Sequence, residues 1–145
     1  MIVEGFFDTN LLIYAVGKDG EAPKKMKRVR ALMQSIRWAW SVQVAQEFYV
    51  NVTRKRKGEK PLTHLEALVW LEAFDYAPMQ ENTKGCLALA LELKERFQLS
   101  LWDANILAAA SLVRSPVVYS EDLNHGQQYN DVQVINPFRG SGNQQ

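Results

Sequence analysis

Four carboxylates stand where they could do chemistry together: Asp8, Glu47, Asp103 and Asp122. Asp8 lies inside FFDTNLLIYA (6–15), a stretch otherwise suited to burial, so the charge needs a partner. Asp122 follows the apolar run VVYS (117–120). Asp103 belongs to LWDANILAAASLV (101–113), where residues placed at 100° intervals leave almost no polar face, so this helix should be buried. Glu47 falls at the edge of the apolar stripe Val44, Ala45, Phe48 and Val52, on a common face with Asn51. Each also has a plain structural reading. Asp8 can cap a helix, Asp122 can serve a turn, Asp103 can close a capping box from Ser100, and Glu47 can be a solvated surface acid.

As a set they imply more. Carboxylates about 5 Å apart repel by roughly 3 kcal/mol per pair at an effective dielectric near 20, and helix amino termini offset only about 0.3 to 1 kcal/mol each. A hard divalent cation is the natural remedy. With oxygen ligands, two histidines and a single cysteine, Mg²⁺ or Mn²⁺ is favoured over Zn²⁺. Such a site suits phosphodiester chemistry, in which the metal polarises the phosphate and acidifies an attacking water.

The elements that must position these acids follow from pattern. Strands are expected at 2–7, 37–41, 76–79, 117–120 and 132–138, each short and rich in apolar residues. Between them run helices at 11–16, 23–36, 42–57 (closed by Gly58), 65–74, 83–97 and 101–113. Their starts carry helix signals: Asp8 or Thr9, Pro23, Ser41, the box Thr63–Glu66, Asn82 and Ser100. Segments 18–23 and 121–126 read as loop and turn. Alternation of strands and helices predicts an α/β fold with a mostly parallel central sheet of about four to five strands, covered on both faces by helices. In open sheets of this kind the functional crevice lies beyond the carboxyl ends of the strands. Asp8 and Asp122 fall there by sequence alone.

Composition bounds the rest. At 145 residues, 47% hydrophobic and 23% charged, the chain is expected to form a single domain over 1–138 with a flexible tail at 139–145. Its formal net charge of +1 does not by itself point to nucleic acid. The lone Cys86 excludes an internal disulfide framework and fits a reducing compartment. The amino terminus lacks signal-peptide character, and no apolar run approaches the roughly twenty residues that span a bilayer. A soluble, cytoplasmic protein with no membrane partner is expected.

Four blocks carry a family likeness: FFDTNLLIYA, VAQEFYVNVTRK, LSLWDANILAAA and VVYSEDLNHGQQYNDVQVINPF. In this order and spacing the chain resembles the PIN-domain ribonucleases, and in particular the VapC-type toxins of VapBC toxin–antitoxin modules. The resemblance implies a PIN-like three-layer fold and a Mg²⁺- or Mn²⁺-dependent endoribonuclease that leaves 5′-phosphate and 3′-hydroxyl ends on structured RNA such as transfer RNA. It also implies a homodimer silenced by a cognate VapB-type antitoxin. Carried over residue by residue, the catalytic and metal-binding acids fall on Asp8, Glu47, Asp103 and Asp122. The polar partner falls on Asn10, and a hydroxyl on Ser120, where many members have threonine. Glu121, next to Asp122, is an alternative fourth acid.

Two basic clusters could meet RNA: Lys24, Lys25, Lys27, Arg28 and Arg30, and then Arg54, Lys55, Arg56, Lys57 and Lys60. The second follows the Glu47 helix and is the better candidate; the first reads equally as a solvated helix face. Of Trp38, Trp40, Trp70 and Trp102, only Trp102, beside Asp103, is a candidate for base stacking; the others are expected in the core. His64 and His125 read as capping-box and turn residues, and Cys86 as a buried helix residue. A haloacid-dehalogenase-like phosphatase would want a second Asp two positions after the first, where this chain has Asn10. A catalytically silent PIN-like module that only binds RNA or antitoxin is the other rival, and the presence of all four acids argues against it.

Overall fold

Alternating apolar runs and capped amphipathic segments fold into the expected order of strands and helices. The computed structural model describes residues 2–17 and 23–139. The elements are β1 (Gly5–Phe7), α1 (Thr9–Val16), α2 (Pro23–Ser35), β2 (Trp38–Ser41), α3 (Val42–Thr53), α4 (His64–Phe74), β3 (Met79–Gln80), α5 (Lys84–Phe97), α6 (Leu101–Leu112), β4 (Val117–Tyr119), β5 (Gln128–Tyr129) and β6 (Val132–Ile135). The expected loop at 18–23 and tail at 139–145 lie, apart from Pro23 and Arg139, outside the described residues.

The sheet has six strands in the order β3-β2-β1-β4-β6-β5, one more than the upper expectation. The additional strand, β5, pairs antiparallel with β6 at the sheet edge; at two residues it is too short to show a period. All other pairs are parallel. The chain runs from β1 outward to β3, then returns to place β4 on the other side of β1. Right-handed crossovers therefore put the helices of the outward leg on one face and those of the return on the opposite one. The contacts agree: α1 packs with α2 and α3, and α3 with α4, whereas α5 packs on α6, which lies against β2, β3, β4 and β6.

The centre is close-packed and largely aromatic. Trp38 stacks on Phe7 at 4.9 Å and meets Trp40, Phe74 and Tyr76 edge-on. Their indole N–H groups are satisfied: Trp38 Nε1 donates to the Tyr76 hydroxyl at 2.8 Å, and Trp40 Nε1 to the Ala77 carbonyl at 3.2 Å. Gly5 lets β1 and β4 approach under a ring, since a Cβ there would lie 2.5 Å from the Tyr119 side chain and 2.9 Å from Ile36.

Helix boundaries differ from expectation in two informative places. Helix α3 ends at Thr53, before the basic run, and Arg54 turns to extended backbone (φ −73°, ψ 132°). Beyond Val52 there is no apolar stripe to bury, and successive cations repel one another. The Leu62 amide closes the helix end by donating to the Val52 carbonyl at 2.9 Å. Gly58 (φ 80°) therefore belongs to a later turn, not to the helix cap. Helix α5 is capped by Thr83, whose hydroxyl accepts from the Cys86 amide at 3.0 Å, not by Asn82. The capping box at Thr63–Glu66 forms in both directions, 2.8 and 3.1 Å. Among the described residues no helix is long and apolar enough to cross a membrane.

Candidate active site

Three of the site's supports come directly from strand ends. β1 stops at Phe7 and Asp8 caps α1, its carboxylate accepting from the Thr9 amide at 2.7 Å. β2 stops at Ser41, which caps α3 and places Glu47 more than a turn along that helix. β4 stops at Tyr119, and Ser120 and Asp122 follow. Strands β1 and β4 are the pair at which the direction of chain progression reverses, the switch point where such sheets leave a crevice. Asp103 arrives from a fourth direction, the first turn of buried α6, whose cap Ser100 accepts from the Asp103 amide at 3.1 Å. The Asp103 carboxylate does not return a bond to the cap, so only half of the expected box forms.

Asp8, Glu47, Asp103 and Asp122 all line one cleft of about 360 Å³, together with Asn10 and Asn51. No lysine or arginine lines it among the described residues. A hydrogen-bond lattice holds the acids in place. The Thr9 hydroxyl donates to Glu47 Oε1 at 2.6 Å and Gln43 Nε2 donates to Glu47 Oε2 at 3.1 Å. Asn10 Nδ2 donates to Asp122 Oδ2 at 3.1 Å. Fully buried Ser120 donates to Asp8 Oδ2 at 2.8 Å while its oxygen accepts from the amides of Asp122 and Leu123, at 3.1 and 3.3 Å. One serine thus fixes both the first acid and the turn bearing the last. The observed hydroxyl supplies the same bond that a threonine would.

Electrostatics single out Asp8. Burial pushes its pKa up to about 6; bonds from Ser120 and Thr9 offset part of this, and the charges of Asp122 and Glu47 add to the rise. A carboxylate raised in this way is one whose charge has no compensating cation in the protein. Asn10 Oδ1 adds a second sign, being buried without a hydrogen-bond partner. Carboxylate oxygens plus an orphaned amide oxygen make an all-oxygen donor set, which fits a hard divalent ion. Among the described residues no three His, Cys, Asp or Glu side chains form a ready cage. Mg²⁺ is ordinarily held without one, through one or two carboxylates, retained waters and substrate phosphate.

Glu121 points elsewhere. Its carboxylate accepts from the Tyr14 hydroxyl at 2.6 Å and pairs with Lys25, and it does not line the cleft. The first basic cluster is largely spent on structure: besides Lys25, Arg28 donates to the Pro137 carbonyl at 3.1 Å and Arg30 to that of Ala15 at 2.8 Å. In the second, Arg54, Lys55 and Lys57 are exposed. Arg56 donates to Asn51 Oδ1 at 2.8 Å, and Asn51 Nδ2 donates to the Glu47 carbonyl at 2.8 Å, linking that cluster to the cleft wall. His64 meets the Tyr49 hydroxyl at 3.0 Å at the start of α4, and His125 Nδ1 accepts from the Asn136 amide at 2.9 Å, both structural placements. Cys86 is buried, which pushes its thiol pKa up.

Sequence reading missed Thr9 and Gln43. Buried Gln43 donates to the Trp102 carbonyl at 3.3 Å as well as to Glu47, and accepts from Asn105 Nδ2. The signal was present: Gln43, Glu47 and Asn51 recur every four residues, a polar line beside the apolar stripe of the helix.

A family model described as PIN domain matches residues 5–129. No curated relative matches the sequence. Among solved structures, the chain is similar to a toxin–antitoxin complex from Klebsiella pneumoniae (TM-score 0.69, 18% identity, covering 92% of this chain and 98% of that one). It is also similar to VapBC2 from Rickettsia felis bound to a DNA fragment from its promoter (0.63, 14%, 90% and 96%). A third is VapC20 of Mycobacterium tuberculosis, a sarcin-ricin loop cleaving toxin (0.62, 21%, 82% and 90%).

Proposed function

Because the chain belongs to the PIN-domain family, we propose that its acidic cleft is the active site of a Mg²⁺- or Mn²⁺-dependent endoribonuclease, the VapC-type toxin of a type II toxin–antitoxin module. The observation that carries this reading is the buried Asp8, flanked by Asp122 and Glu47 and sharing its cleft with Asp103, with no cationic side chain lining that cleft among the described residues. In this reading Asp8 and Asp103 hold the ion, and Glu47 and Asp122 assist. A bound divalent ion supplies charge neutralisation at the phosphate and a water acidic enough to attack at neutral pH.

The chain's own residues do the positioning. Thr9 and Gln43 hold both oxygens of Glu47, and the Thr9 amide and Ser120 hold one oxygen each of Asp8. Each of these oxygens accepts one bond from the protein and has a further lone pair for a ligand. Exposed Arg54, Lys55 and Lys57, with Arg56 bonded to Asn51 of the cleft wall, would carry the RNA backbone. The substrate class is structured RNA such as transfer RNA; the similar M. tuberculosis toxin cleaves the sarcin-ricin loop. The partners are a VapB-type antitoxin, supported by the similarity to toxin–antitoxin complexes, and a second copy of the chain.

The test is cleavage of total RNA with Mg²⁺ or Mn²⁺ by purified protein freed of antitoxin, beside Asp8→Asn and Asp103→Asn. Cleavage lost by on the order of 10²-fold or more in both variants supports the reading. Equal cleavage by all three would overturn it.

A further inference from the structure

A second cavity, of about 380 Å³, opens beside the acidic cleft at the starts of α3, α5 and α6. It falls within the roughly 300 to 1,000 Å³ typical of small-molecule sites. Its walls include Gln43, Gln46, Asn82, Lys84, Trp102 and Asn105. Gln43 and Trp102 line both spaces, so the two are contiguous. Their chemistry differs sharply. No Asp or Glu lines the second cavity among the described residues, and carboxamides take the place of carboxylates.

We propose that this cavity takes an unpaired nucleobase of the RNA, next to the phosphodiester that lies in the acidic cleft. The proposal rests on the nuclease reading above. Three observations carry it. First, Trp102 is 66% exposed, whereas Trp38 and Trp40 are each 1% exposed and Trp70 packs against Phe74 at 5.8 Å. A large indole left in water at the junction of two cavities is a stacking platform, and stacking on aromatics is how single-stranded RNA bases are held. Second, the carboxamides divide into two sets. Gln43 and Asn105 are tied to each other and onward to Glu47 and Cys86. Gln46 and Asn82 are exposed, and their side-chain amides make no hydrogen bond among the described residues. Each free amide offers one acceptor and two donors, the complement of a base edge. Third, Lys84 adds one positive charge for the adjoining phosphate.

The walls also carry Cys86, Leu87 and Leu101, which suit the flat face of a base; a wholly apolar side chain would cover these too, but would strip water from Gln46 and Asn82 without replacing their bonds.

The experiment separates binding from cleavage. In the Asp103→Asn background, short single-stranded RNAs differing at one base are bound and followed by fluorescence anisotropy. Trp102→Ala should weaken binding about tenfold or more, and Trp102→Phe by no more than about threefold, because a ring still stacks. Gln46→Ala should narrow the spread of affinities among the bases. In otherwise wild-type protein, Gln46→Ala should also relax base preference beside the cut. Unchanged binding and unchanged cut-site preference in Trp102→Ala would overturn the proposal, yet leave the nuclease reading intact if Asp8→Asn still abolishes cleavage. Trp102-dependent RNA binding in a protein that cuts nothing would instead leave the pocket standing and remove the nuclease reading. Free nucleoside 5′-monophosphates that bind tighter than RNA, or a Trp102→Ala defect confined to capture of a protein inhibitor, would also overturn the RNA assignment. Melting curves confirm that each variant is folded.

Discussion

The acidic cleft and the cluster around Lys25 are fed by one loop: Asp122 lines the first and Glu121 belongs to the second. In the Lys25 cluster, charge is answered within the protein. Lys25 pairs with Glu121 and lies over the rings of Tyr14 and Phe138 at 4.8 and 5.1 Å. In the cleft, acids from four parts of the chain line one space, and among the described residues the side chains that donate to them are neutral: Thr9, Asn10, Gln43 and Ser120. A compensated carboxylate builds the fold, whereas one without a cation among the described residues is left to take its partner from a ligand.

The largest expected effect comes from removing the least compensated charge. With pKa raised to about 6, Asp8 favours the fold when protonated. In metal-free protein that contribution is fully present below about pH 4 and is lost as pH rises through 6, a difference of about 3 kcal/mol. Asp8→Asn should therefore stabilise the metal-free protein at pH 7.5 by about 1 to 3 kcal/mol, seen in urea melts, while destroying cleavage. A destabilised variant would mean that the carboxylate is already neutralised.

Metal should supply the missing charge in the parent. Mn²⁺ at about a hundred times its Kd should raise stability by about 2.7 kcal/mol at pH 7.5, with little gain near pH 5, where protons compete. An equal Tm shift in Asp8→Asn would place the ion elsewhere.

Breaking the other region should do the reverse. Lys25→Ala is expected to lower stability by about 1 kcal/mol or less, since the pair is partly exposed, and to leave the cleavage rate unchanged. A lost rate would show that the two regions are coupled. The smallest effect belongs to exposed Lys55. Lys55→Ala should weaken RNA binding a few-fold and lower the salt slope by about one, measured by titration across ionic strengths.

Much of this contrast was legible in the sequence. Ser41, Thr63 and Ser100 announce helix starts because their hydroxyls accept from amides within the next turn, a local event. Asp8 and Asp122 stand out because each follows a strand. The fate of Glu121 was not legible, since neighbouring acids on one turn are equivalent until Tyr14 and Lys25 arrive from residues about a hundred positions away. The end of α3 was also hidden, because basic residues are good helix formers and only the absence of anything to pack against stops them at Thr53.

Residue pattern alone determined most of the strands and helices, β5 and the end of α3 apart, and that acids would stand at their junctions, because period and capping act over a few residues. Tertiary structure alone decided which carboxylates share a cleft, which one meets a lysine, and that Trp102 stands at the junction of two cavities. The reason is that burial and charge compensation depend on partners brought from distant parts of the chain, and proximity of that kind exists only once the sheet has ordered its strands.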